Sequence, residues 1–146
     1  MNAAELVKQF EGYRSKAYLC PAGKWTCGWG HTKGVTAATS CDFGTAETWL
    51  CDDLTDAGNC IDRVVTVPLT PNQRAALLSF IYNVGCGRFE ASTLLRKLNE
   101  GDYEGCSQEF SRWVFSGKTK LPGLIRRREA ERTLFQDGGP LEPMAA

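Results

Sequence analysis

The chain has 146 residues, enough for one globular unit that buries about two-thirds of its unfolded surface. Its 17 lysines and arginines balance 17 aspartates and glutamates, so no net field draws it to nucleic acid or to an anionic membrane. Hydrophobic residues make up 42% and charged residues 23%, ordinary for a folded soluble domain, and no apolar run approaches the roughly 20 residues of a membrane span.

The opening stretch, Met1 to Phe10, carries Glu5 and lacks a basic start and an extended apolar run, so it does not read as a secretory signal. It reads instead as a helix, with Ala3, Leu6, Val7 and Phe10 on one face, Asn2 as N-cap and Glu5 three residues on, ending near Glu11 and Gly12. From Ala17 to His31 the pattern turns aromatic-rich and extended, and Pro21-Ala22-Gly23 supplies the turn of a hairpin. Trp25, Cys27 and Trp29 then share one strand face, and Lys24, Thr26 and Gly28 the other. Gly34 to Gly44 is rich in Thr, Ala and Ser and reads as loop.

Leu50, Leu54, Ala57, Ile61 and Val64 recur at helical spacing, so a long amphipathic helix is expected over about residues 46–65, interrupted only by Gly58. Thr70-Pro71-Asn72-Gln73 is a well-specified helix start, with Ala75, Leu78 and Tyr82 carrying that helix to a stop at Gly85-Cys86-Gly87. Further helices are expected around 93–99, 103–115 and 124–135, separated by Gly101 and by Gly117 to Gly123, with a frayed tail from Gly138 to Pro143. Short connections make this second half a compact helical lobe.

The seven cysteines, Cys20, Cys27, Cys41, Cys51, Cys60, Cys86 and Cys106, lack the CxxC pairs of a zinc site, and no metal or other cofactor is expected. Their number points to an oxidising working compartment, and its being odd leaves at least one thiol outside any intramolecular pair. Of the four tryptophans, Trp49 and Trp113 fit helical core positions better than sugar stacking.

One constellation carries chemistry. Phe10-Glu11-Gly12 is followed by Tyr18-Leu19-Cys20-Pro21-Ala22-Gly23-Lys24-Trp25-Thr26 and by Gly28-Trp29-Gly30-His31-Thr32. The pattern Glu, eight residues, Cys, five residues, Thr, then Gly-x-Gly-His resembles the active-site signature of the phage-type lysozymes, endolysins of glycoside hydrolase family 24, in which Asp or Cys occupies the middle position. The similarity continues in Leu78 to Gly85, Ser92 to Arg96 and Gly123 to Glu129, and so covers nearly the whole chain.

The resemblance implies an α+β, mainly helical, lysozyme-like fold of one domain. A small lobe over about 12–60 would carry the hairpin, the 46–65 helix would connect, and a helical lobe over about 66–136 would pack the N-terminal helix. It also implies a muramidase that cleaves the β-1,4 bond between N-acetylmuramic acid and N-acetylglucosamine in peptidoglycan and inverts the anomeric carbon. Such a reaction needs an acid for the leaving oxygen and a group on the opposite ring face that handles water. Glu11 is the acid, its proton held by desolvation beside Phe10, Tyr18 or Trp25, whereas an arginine contact would act the other way. Cys20, with a reference pKa near 8.5, orients the water or takes its proton, and Thr26 holds that water.

Gly30, His31, Asn83 and Arg127 are the candidates for substrate binding. Gly30 offers open backbone, Asn83 a short polar group, and one arginine of Arg126-Arg127-Arg128 would approach Glu11. His31 also reads as a satisfied hairpin histidine that positions the strands. The family likeness places the far end of the connecting helix against the loop after the next helix, which implies a Cys60–Cys86 disulfide. It implies further a monomer made in the host cytoplasm that acts in the periplasm, with a holin-type membrane partner for export. Two alternatives are a lytic transglycosylase, in which the sugar's own hydroxyl replaces water, and a catalytically silent glycan-binding domain.

Overall fold

A computed structural model describes residues 1–137, and the tail from Gly138 lies outside them. Helix α1 spans Ala3–Glu11. The Asn2 side chain accepts the Glu5 N–H at 2.8 Å while the Glu5 carboxylate accepts the Asn2 N–H at 3.2 Å, the reciprocal box expected from sequence. Gly12 releases the chain with φ 70°, a conformation that strains any residue with a Cβ.

Strand β1 (Arg14–Leu19) pairs antiparallel with β2 (Trp25–Gly28), setting Tyr18 opposite Thr26 and Leu19 opposite Trp25, with a bulge between Arg14 and Tyr18. The Gly23 N–H closes the turn on the Cys20 carbonyl at 2.8 Å. The other edge of β1 is covered by the 39–41 segment, through Ala17 N–H to Thr39 O at 3.0 Å and Cys41 N–H to Ser15 O at 2.8 Å.

Helix α2 spans Phe43–Val64 and begins three residues before the expected Ala46, because the Asp42 carboxylate caps the Thr45 N–H at 2.7 Å. The loop composition of 34–44 hid that cap. Of the expected face, Leu50, Ala57 and Ile61 are buried, whereas Leu54 and Val64 are half-buried. Gly58 lies within the continuous helix and admits a neighbour: a Cβ there would lie 3.1 Å from Arg74 Nη2.

Helix α3 (Pro71–Val84) starts with the Thr70–Gln73 capping box and a proline in its first turn. Its deepest residues are Ala76, Leu77, Ser79, Phe80 and Ile81, whereas the expected Ala75, Leu78 and Tyr82 are half-buried. The helix is packed on several sides, against α1, α2 and α7 (Pro122–Gln136), so no single stripe describes it.

Three further differences follow. Cys86–Glu90 forms a short helix, α4, in place of the expected stop at Gly85-Cys86-Gly87. After α5 (Thr93–Asn99), the expected 103–115 helix ends as α6 at Glu109 and continues in a 3₁₀ turn, Phe110–Arg112. Phe115–Ser116 (β3) and Thr119–Lys120 (β4) then make a small hairpin turning at Gly117, φ 60°.

The core lies among α2 to α7. Phe80 meets Phe89, Phe110 and Trp113 edge to face at 5.3–6.3 Å, contacts worth about 0.5–1.5 kcal/mol each beyond area burial. Cys60 near the end of α2 is bonded to Cys86 at the start of α4, the pair that the resemblance implied. The fold is thus mainly helical with a small N-terminal hairpin.

Candidate active site

Glu11 closes α1, with its side chain 18% exposed. Its Oε1 accepts from Arg127 Nη1 of α7 at 2.5 Å. The same guanidinium donates from Nη2 to the Ser79 carbonyl at 3.2 Å and from Nε to Glu131 Oε2 at 3.4 Å. Glu131 is fully buried and also receives the Ser79 hydroxyl at 2.6 Å and Arg128 Nη1 at 2.7 Å. Arg128 reaches on to the Asn83 side-chain oxygen and stands over the Phe80 ring, 4.9 Å from its centroid.

Two guanidiniums therefore face two carboxylates, the balance that makes buried charge tolerable. Burial pushes the Glu131 carboxyl above its ordinary value, against the pull of Arg128 and Arg127. Burial also brings Arg128 down to about 10, which leaves it charged at neutral pH.

Gly30 backs onto the acid. Its φ is 83°, and a Cβ built there would lie only 2.7 Å from Glu11 Cδ. The loop around it is held by Tyr82 of α3, whose hydroxyl donates to the Trp29 carbonyl at 2.5 Å, and by Trp29 Nε1, which donates to Glu47 of α2 at 3.0 Å.

Cys20 and Thr26 lie on one face of the hairpin, since Cys20 N–H bonds to Lys24 O at 2.9 Å and Tyr18 faces Thr26. Thr26 is buried, its Oγ1 donating to the Lys24 carbonyl at 3.0 Å and lying within reach of the Cys20 sulfur. Burial raises the Cys20 thiol, but the backbone N–H groups of Lys24 and Ala22, the Thr26 hydroxyl and the Lys24 charge together outweigh it and set the thiol below its ordinary value. On the same face, the Tyr18 hydroxyl is raised by burial first, then by the charge of Glu11, with Cys20 also contributing. Glu11, Tyr18 and Cys20 therefore share one electrostatic neighbourhood.

His31 ties the hairpin to α2. It is 7% exposed, its ring stacks on Trp49 at 4.4 Å, and Nδ1 lies 2.7 Å from Asp53 Oδ2, which pins the hairpin to α2. Asn83 is exposed, and its side-chain oxygen accepts from Arg128. Arg127 is buried and reaches Glu11 directly, so of the three arginines it is the one that approaches the acid. Sequence reading missed Ser79, Tyr82, Asp53 and Glu131. Glu131 alone left a signal, four residues after Arg127 and three after Arg128.

Residues 8–131 match the family model described as phage lysozyme. The chain belongs to the phage lysozyme family. As a family member it is a glycoside hydrolase of the lysozyme class. It is 44% identical over 135 residues to the endolysin of Acyrthosiphon pisum secondary endosymbiont phage 1, covering 90% of this chain and 92% of that one. It is 48% identical over 90 residues to the SAR-endolysin of Escherichia phage Mu, a match spanning 62% of this chain and about half (53%) of that relative. Among solved structures, the muramidase domain of SpmX from Asticaccaulis excentricus superposes with a TM-score of 0.81 at 37% identity, covering 91% of this chain and 93% of that one.

Proposed function

We propose that the chain is an endolysin muramidase that hydrolyses the β-1,4 bond between N-acetylmuramic acid and N-acetylglucosamine, and that Glu11, Cys20 and Thr26 carry the reaction. The observation that supports this most is Glu11, oriented by Arg127 and backed by Gly30, in the same neighbourhood as a hairpin face that presents a thiol beside a threonine hydroxyl.

In this reading Glu11 gives its proton to the glycosidic oxygen as the bond to the anomeric carbon breaks. A water on the opposite ring face, held by the Thr26 hydroxyl, adds to that carbon and inverts it. Cys20 orients that water or takes its proton, and the N–H groups and the lysine around its sulfur favour the thiolate more than an ordinary cysteine's surroundings do. Arg127 holds the carboxyl in register, and Asn83 offers its amide hydrogens to a sugar acetamide or hydroxyl. The hairpin side forms the small lobe, α2 the connector and α3 to α7 the helical lobe.

Digestion of purified peptidoglycan, followed by mass spectrometry of the ends released, tests the reaction. Hydrolysis yields reducing N-acetylmuramic acid; a 1,6-anhydro end would mean a transglycosylase, and no cleavage a mere binding domain. We place its action in the periplasm after synthesis in the host cytoplasm, as a monomer served by a holin-type partner. No helix of the described residues is long and apolar enough to cross a membrane. Lysis of cells expressing the chain with and without a holin tests that placement.

A further inference from the structure

Two thiols that the proposed reaction does not use meet where the 39–41 segment crosses the hairpin. Cys27 follows Thr26 on β2 and is fully buried, whereas Cys41 lies just before the Asp42 cap of α2 and is partly exposed. Their Sγ atoms are 3.5 Å apart. Both sulfurs sit against one backbone group, the Arg14 carbonyl, at 3.6 and 3.8 Å, and Cys27 Sγ also meets the Ser15 carbonyl at 3.6 Å.

The backbone on each side is held. Cys27 exchanges both of its hydrogen bonds with His31 at 2.9 Å, and Cys41 N–H bonds to Ser15 O at 2.8 Å. A disulfide sets its sulfurs about 2.05 Å apart, so closure asks for an approach of about 1.5 Å.

We propose that Cys27 and Cys41 form an oxidisable pair that closes to a second intramolecular disulfide, locking the strand that carries Thr26 to the entrance of α2. Burial decides the order of events. Cys41, the accessible member, attacks a sulfur of an external disulfide such as oxidised glutathione and expels one glutathione thiolate. Cys27, sheltered beside it, then attacks the Cys41 sulfur and expels the second. Two protein thiols lose two hydrogens, and one glutathione disulfide becomes two thiols. Burial first, then the neighbouring Cys27, pushes the Cys41 thiol up to about 11, so little thiolate is present at neutral pH and closure is slow without a catalyst. The pair suits a permanent lock acquired in an oxidising compartment better than a rapid switch.

The test incubates the native enzyme with oxidised glutathione for hours at mildly alkaline pH, then blocks free thiols under denaturing conditions and maps peptides with two proteases. The expected product links Cys27 to Cys41, two hydrogens lighter than the dithiol, with the Cys60–Cys86 bridge unchanged. Calorimetry of the oxidised protein should show a melting temperature higher by about 5 °C or more, as closing a loop of this size implies. The C41S variant should give neither the link nor the rise. Recovery of both Cys27 and Cys41 as fully alkylated thiols, or a Cys41 that ends bonded to glutathione or to another cysteine, overturns the proposal. If C41S does not fold, the wild-type peptide map decides alone.

Discussion

Arg127 governs how Glu11 sits, and Gly30 governs how much room it has. The Nη1 contact fixes one carboxyl oxygen, and the absent Cβ at Gly30 leaves space for the rest of the group. Glu11→Gln keeps shape and most hydrogen bonding but removes the proton donor, so cell-wall hydrolysis should fall by about 10²–10⁴-fold while the circular dichroism spectrum stays unchanged. Near-normal activity of that folded variant would remove Glu11 from the reaction. Gly30→Ala should disturb the same group sterically, because its backbone disfavours a side chain and the new methyl would press on Glu11 Cδ. Its activity should fall more than its stability, read by comparing turbidity clearance with thermal melting. At Cys20, an aspartate can still accept a proton and a methyl cannot, so Cys20→Asp should retain activity and Cys20→Ala lose most of it. Equal activity of Cys20→Ala and wild type would leave Thr26 and Glu11 to act without the thiol.

The hairpin and α2 form one mechanical unit. His31 stacks on Trp49 and pairs with Asp53, both one face of α2, while Lys8 of α1 pairs with Glu47 at 2.6 Å and lies over the Trp29 ring. Asp53→Ala removes the partner of a nearly buried imidazole, and should cost about 1–3 kcal/mol measured by urea unfolding. The loss should also loosen the hairpin that presents Cys20 and Thr26, lowering turnover more than wall binding. Unchanged stability would mean that the stacking on Trp49 suffices. These contacts explain what sequence could and could not disclose. The capping boxes of α1 and α3, the buried face of α2 and the Glu11-Cys20-Thr26 spacing were legible, because each lies within one segment or one continuous motif. The β3–β4 hairpin was not, since two strands of two residues carry no periodicity. Nor was the Ser79–Glu131–Arg127 network, whose members are separated by up to 52 residues and meet only when α3 packs against α7.

At the scale of the whole molecule, the Cys60–Cys86 disulfide joins the far end of α2 to the start of α4, on the opposite end of α2 from the candidate site. The bond spans a sequence separation of 26, and closing such a loop restricts the unfolded chain by about 3–4 kcal/mol at room temperature. Its surroundings add a charged contact: Arg63 Nη2 lies 3.2 Å from Cys86 Sγ and also pairs with Glu90, so a serine at position 86 would still meet polar partners. The double variant C60S/C86S should therefore fold, lose stability on that order, and melt about 5–15 °C lower, because each kcal/mol moves the midpoint of a domain of this size by a few degrees. Activity well below the new midpoint should stay close to that of the wild type, since Glu11, Cys20 and Thr26 are held by α7, the hairpin and the near end of α2 rather than by this bridge. A melting temperature unchanged by the double substitution would show that the loop is already constrained in the unfolded chain. A large loss of activity at low temperature would show instead that α2 transmits the position of its far end to the site.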